Sequence, residues 1–489
     1  MAQFRPPRQF FLGAMIFGLS IGLDFIVLGH RLFDAGLGSE YADILDKLRD
    51  GDPSPFVKFM GKLLLSCAPF FVIGIILSKS ININRISLHT LYRNRLIRAF
   101  LGASSLARKP NLFTDFDTSD DLQMHDLRPE KSPIQRTCWC PFLVLNLTLN
   151  MVSAKRLAWQ ERKAVSFTVS PLHCGTGSKT YQTHPESGHT VDRPVGAYRY
   201  SAKYGHPRHG LSLGTAMAIS GAAANPNMGY HSSPAITFIM TMLNLRSGWW
   251  LGNPAKEGQR TYNHEGPQNA IVPLFQETFG LTTDSKEYVH LSEGGHFNNL
   301  GLYEMVRRRC RFILVCDAGR DPTFGFEDLG NAVRKIFIDL GIPSRFNNLQ
   351  TLKPRAREVD NSFAPKRAYH VIGEIDYQSI DPEGGIENGF ILYIKPSYHR
   401  CESAAIRSYA MANQEFPHQT TANQWFNESQ FEAYRSLGFE IMDEILMTSL
   451  KEPGSSAPRW KDICTHAVKE SRSAAIKQPC WQMVRCSSS

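Results

Sequence analysis

Residues 288–299, YVHLSEGGHFNN, set a carboxylate, two glycines, a histidine and a pair of asparagines directly after a short apolar run. The run predicts a strand. Glu293 then falls at the strand's end, where open α/β sheets place their ligands. Gly294 and Gly295 let the backbone turn sharply there, with no Cβ in the way. A nucleophile to work beside that carboxylate has two candidates. Ser212 lies in Gly210-Leu211-Ser212-Leu213-Gly214, which fits Gly-x-Ser-x-Gly. An elbow of that kind needs a hydrophobic strand before it, and residues 198–209, YRYSAKYGHPRH, form none. Ser220 lies in a run of small residues, 216–224, AMAISGAAA, and reads as packing. No metal is expected. His184 and His189 sit in an aperiodic stretch, and Cys138-x-Cys140 and Cys310-x5-Cys316 fit no common site.

Such residues need elements to hold them. Residues 300–309 read as a helix with Leu300, Tyr303 and Val306 on one face. Residues 311–316, RFILVC, read as a second strand ending in Asp317-Ala318-Gly319. Leu329, Val333, Ile336 and Leu340 recur at helical spacing, and Gly341 stands where a helix C-cap belongs. Strand, turn, helix, repeated, predicts a parallel α/β unit. Upstream, residues 142–149 and 167–172 are β-prone, and 175–209 reads as a long loop. Residues 234–245 form an apolar helix that runs into Trp249-Trp250 and falls short of the roughly 20 residues a membrane span needs. Downstream, 369–377 and 390–394 predict a hairpin, and 424–450 is helical through Trp425, Phe431, Tyr434 and Leu437.

Composition narrows the class. With 42% hydrophobic and 20% charged residues in 489, the chain is globular and long enough for more than one core. The net charge of +9 invites an acidic partner, but the basic residues are scattered and no nucleic-acid motif accompanies them. Nucleic acid is therefore not expected. Ten cysteines without a framework spacing suit reduced thiols facing the cytosol. Residues 10–28, FFLGAMIFGLSIGLDFIVL, predict a membrane helix despite Asp24. Residues 63–77, containing Pro69, predict a second. Residues 88–101 form a basic amphipathic helix of the kind that lies on an anionic membrane surface or on a soluble one. Three regions result: 1–80 as a membrane-associated helical segment, 88–450 as the main domain, and 451–489 as a tail without period.

Ser292-Glu293-Gly294-Gly295-His296-Phe297-Asn298-Asn299 resembles the Asp-Gly-Gly-x-x-x-Asn motif of patatin-like phospholipases, in particular their large bacterial, membrane-associated branch. The resemblance extends over residues 87–446, through 91–104, 157–173, 214–254 and 416–438. It implies an α/β, patatin-like sandwich with parallel βα units, here preceded by N-terminal membrane helices. It implies lipid acyl-ester hydrolysis by a serine–carboxylate dyad without cofactor or metal. Glu293 would be the base, Gly294 and Gly295 its turn, and Asn299 a support for the loop. The chain departs from the family at the base, where Glu replaces Asp. A methylene displaces the carboxylate by roughly an ångström, a misplacement that can cost about 100-fold in rate.

The glycine-rich oxyanion loop and the Gly-x-Ser-Gly elbow of that family are not found, so the resemblance covers its rear portion only. Two expectations follow. The chain is a membrane-bound lipid acyl hydrolase, its α/β domain facing the cytoplasm. It acts on membrane phospholipid only together with a separate N-terminal segment that carries the nucleophile. Alternatively, it is a non-catalytic, membrane-anchored scaffold of that family.

Overall fold

The computed structural model describes residues 82–128, 142–227, 233–354, 368–420 and 426–449 apart from short gaps, with scattered positions from 47 to 79. Internal contacts divide the chain into two units, Met1–Phe297 and Asn298–Ser489.

The first unit begins with α1 (Leu88–Leu96), which widens into a π-helical turn over Ile97–Gly102. Two arginines of this segment have counter-ions within the fold: Arg93 pairs with Asp121, and Arg98 with Asp115 at 2.9 Å. Asp120 takes Arg108 at 2.8 Å, so the acidic stretch after the helix serves as its counter-charge. The chain then runs through β1 (Leu145–Asn150), α2 (Leu157–Arg162), β2 (Ala164–Val169), β3 (His173–Thr176), β4 (Gln182–Thr183), β5 (Thr190–Val191) and β6 (Ala197–Tyr200). It continues with α3 (Leu213–Ser220), α4 (Pro234–Met242), β7 (Trp249–Gly252), α5 (Ile271–Thr278) and β8 (Tyr288–Glu293). Six strands form one sheet in the order β6-β3-β2-β1-β8-β7. Every neighbouring pair in it is antiparallel.

Side chains alternate between the faces of a strand, and β1, LNLTLN, shows this plainly. Leu147 and Leu149 join Phe167, Val289 and Leu291 in a core with Leu213, Ala216 and Ile219 of α3. Each such buried side chain contributes roughly 1.5–3 kcal/mol relative to exposure. The other face carries Thr148, Asn150, Ser166, Thr168, His290 and Ser292, and these are buried as well. Buried polar groups must find partners, so this face is knit by hydrogen bonds rather than by apolar packing.

The second unit holds α6 (Leu302–Arg307), β9 (Phe312–Cys316), α7 (Glu327–Leu340), β10 (Ser344–Phe346), β11 (His370–Ile375), β12 (Gly389–Ile394), α8 (Ala404–Ala412) and α9 (Glu428–Ser449). Its sheet runs β10-β11-β12-β9. The expected hairpin is β11–β12, in register from His370↔Ile394 to Ile375↔Gly389. Gly341 closes α7 in the left-handed region, at φ 70°, where a side chain would be strained. The core gathers Leu392 and Ile394 with Ile406 of α8 and Leu437, Ile441 and Ile445 of α9.

The expected α/β sandwich of parallel βα units behind membrane helices is not what is found. β8 has antiparallel neighbours on both sides, β1 and β7. β9, expected to lie parallel beside it, belongs to the second sheet and pairs there with β12. The reason is that β8 is buried on both faces. Its buried residues include polar His290 and Ser292 as well as apolar ones, and so short a strand does not reveal its neighbours' direction. The stretch 175–209, expected to be a loop, supplies β4, β5, β6 and the end of β3. Trp249 and Trp250 open a strand, β7, rather than ending a helix. Residues 10–28 lie outside the described residues, as does most of 63–77 and all of 451–489. Among the described residues, no helix is long and apolar enough to cross a membrane.

Candidate functional site

Glu293 is the last residue of β8, and its side chain is 30% exposed. It pairs across the sheet with Leu147, which puts it on the face against which α3 packs. The chain then makes a single 3-10 turn, Gly294–His296, and this turn carries His296 back over the strand end. Gly294 is there because nothing larger fits: a Cβ would meet the carbonyl oxygen of Asn146 at 2.4 Å.

The turn produces a short hydrogen-bonded set. Asn150 Nδ2 donates to Ser292 Oγ at 2.8 Å. The Ser292 hydroxyl also shares a hydrogen bond with His296 Nδ1, at 2.8 Å. His296 Nε2 stands 3.5 Å from Glu293 Oε2. The set thus runs from the sheet interior outward and ends beside the partly exposed carboxylate. Ser292 itself is fully buried, so the serine of this set is out of reach of an ester.

Behind it the polar face continues inward. The same Asn150 amide nitrogen lies 3.2 Å from His290 Nδ1. His290 Nε2 faces Glu277 Oε1 at 3.7 Å, and Glu277 is held by Arg246 at 3.2 Å and by the Trp250 indole N–H at 2.5 Å. Burial pushes the His290 imidazole down to about 4; Glu277 opposes this and Arg246 assists it. His290 is therefore neutral in the fold at any ordinary pH, while Glu277 and Arg246 form a buried pair whose charges offset one another.

The two candidate serines part company. Ser212 is the N-cap of α3, its Oγ accepting from Thr215 N at 3.2 Å. That is a capping role. Ser220 is the last residue of the same helix, and its Oγ donates to the carbonyl of Asn146 at 2.8 Å. Asn146 O is also the atom that crowds Gly294, so Ser220 lies on Glu293's side of the sheet. The next residue, Gly221, abuts the hydroxyl of Tyr92. Burial and the nearby Glu293 charge push that phenol upward. Ser220 sits at the negative end of its helix, where a developing alkoxide is disfavoured. Asn299 belongs to the second unit, where it donates to Asp328 Oδ2 at 3.0 Å. Among the described residues no cluster of His, Cys, Asp and Glu could hold a metal ion.

Glu293, Gly294 and Gly295 were legible as a strand end. His296 and Ser292 could have been read too, because residues four apart around a tight turn meet. Asn150, Glu277 and Arg246 carry no local signal and come together only through strand pairing. No family model, no curated protein and no solved structure matches this chain.

Proposed function

We propose that Glu293 is the proton-accepting carboxylate of a lipid acyl hydrolase whose nucleophilic serine comes from a further segment. The observation that supports this is the set Ser292–His296–Glu293, which ends on a partly exposed carboxylate with an imidazole beside it. In acyl transfer a serine Oγ attacks the ester carbonyl while a base removes its proton. Glu293 accepts that proton. His296, anchored by Ser292, stands with its Nε2 3.5 Å from the carboxylate, which is a positioning role. Fixing the base matters because general-base catalysis depends on reach. The longer Glu arm, standing where the resembling family has Asp, is held by this histidine. The same resemblance supplies the substrate class, a phospholipid or related acyl ester.

A second reading has an observation of its own. Ser212 caps a helix, Ser220 is bonded to a carbonyl and Ser292 is buried. A chain in which these three serines are engaged in this way would serve as a non-catalytic scaffold of that family. The test is fatty-acid release from phosphatidylcholine vesicles by material isolated through the full chain from its own host cells. It is run with the unsubstituted chain, Glu293→Gln and Glu293→Asp. The hydrolase reading expects release to fall about 100-fold or more in Glu293→Gln and to persist in Glu293→Asp. Equal release by all three would remove Glu293 from the chemistry. No release from any of them would select the scaffold.

A further inference from the structure

At the opposite end of β8 from Glu293, the first unit has a cleft of about 560 Å³. Tyr288, the first residue of the strand, lines it, so the two places lie about 17 Å apart at roughly 3.3 Å per residue. The volume falls within the range of about 300–1,000 Å³ common to small-molecule sites. We propose that this cleft binds a neutral sugar, either free or as the head group of a glycolipid. The proposal does not depend on the role given to Glu293.

Four observations carry it. First, an aromatic ring is offered in fixed orientation. The Tyr288 hydroxyl is held by His264 Nδ1 at 2.8 Å, and its partly buried ring lines the cleft. A ring locked in this way presents flat apolar surface for the C–H face of a pyranose. Second, Gln276 lines the cleft and is only 8% exposed, yet its side-chain amide makes no hydrogen bond among the described residues. A nearly buried amide with an unused donor and an unused acceptor suits a hydroxyl, which is both acceptor and donor. Third, Asn269 Oδ1 accepts from Ile271 N at 2.8 Å, which leaves its amide N–H₂ on the cleft wall beside Gln268. Fourth, the ionic groups of the lining are Glu257, Glu287 and Lys286. Two carboxylates against one lysine disfavour a phosphate.

The test uses the full chain and an array of neutral di- and trisaccharides, followed by titration of the best one. Phosphocholine and inorganic phosphate serve as comparison probes. A further arm compares vesicles carrying a neutral glycolipid with plain phosphatidylcholine vesicles. Two variants accompany it. Gln276→Leu removes the amide at similar volume. Val272→Trp fills the mouth from a position that is 53% exposed, so the core is left alone. The expected result is saturable binding of a neutral saccharide that weakens tenfold or more in each variant and is unchanged in Glu293→Gln. Retention on glycolipid vesicles but not on the array would assign the sugar to a head group. Three outcomes would overturn the proposal: no saccharide or glycolipid bound at millimolar concentration, binding untouched by Val272→Trp, or preference for phosphocholine or phosphate.

Discussion

His290 and His89 are imidazoles held neutral by burial. Each is pushed down to about 4 chiefly by desolvation. For His290, Glu277 opposes the shift and Arg246 adds to it; for His89, the Ser247 carbonyl opposes it and Arg93 adds to it. In the unfolded chain both titrate near 6.5. Between 6.5 and 4 the unfolded chain takes up protons that the folded one refuses, so stability is intact above 6.5 and is lost as pH falls through that window. Each histidine is worth on the order of 3 kcal/mol across it. Urea midpoints measured at pH 7.5 and 4.5 should therefore drop on acidification, and the drop should shrink in His89→Asn. A midpoint level across the window would mean that these rings become protonated in the fold as readily as in the unfolded chain. The same burial explains why the polar face of the sheet is a fixed frame for His296 rather than a set of groups that titrate with it.

At the scale of elements, α3 connects the two serines and gives them different work. Its first turn is capped by Ser212 and by Asp121, whose Oδ1 accepts from Gly214 N at 2.9 Å. Asp121 also pairs with Arg93 of α1, so one carboxylate ties the two helices together. Removing the serine cap leaves a helix N–H without that partner. Ser212→Ala is expected to cost about 1 kcal/mol of stability. It should leave ester hydrolysis unchanged, read as thermal midpoint and fatty-acid release on the same preparations. Loss of release with an unchanged midpoint would make Ser212 a nucleophile after all. The basic helix expected on an anionic membrane surface or a soluble one belongs to this scale as well. Arg93 and Arg98 have their counter-ions within the fold, so they leave no stripe of bare charge.

For the molecule as a whole, the division at Phe297 separates two hydrophobic cores with no residue in common. One lies on the α3 face of the antiparallel sheet, the other between the second sheet and α8 and α9. Leu437, 1% exposed, belongs to the second. Leu437→Ala removes packing that neighbours cannot close over, at a cost of about 2–5 kcal/mol. Calorimetry of the full chain should show two transitions, with only one displaced by this substitution. A single transition that moves as one would show the cores to be cooperative. Glu293 and its histidine stand at the end of the first unit and Asn299 in the second, so the resembling motif is shared between two folding units.

Local chemistry was legible in the sequence because it acts over a few residues. The alternation of LNLTLN, the helical spacing of 329–340 with Gly341 behind it, and the hairpin of 370–394 each follow from periods that need no partner. So does the meeting of Glu293, His296 and Ser292, which a tight turn brings about by itself. Pairing is different in kind. Which strand lies beside β8, and in which direction, depends on hydrogen bonds to residues some 140 positions away, as between Leu149 and Leu291. A short strand buried on both faces does not tell which way its neighbours point. Burial on both faces therefore hid the antiparallel sheet, and with it the polar face that carries Asn150, His290 and Glu277. The sequence by itself determined the carboxylate, its turn and the helices. Only the tertiary structure decided what stands behind them, because a buried polar group takes its partner from whatever the sheet brings opposite it.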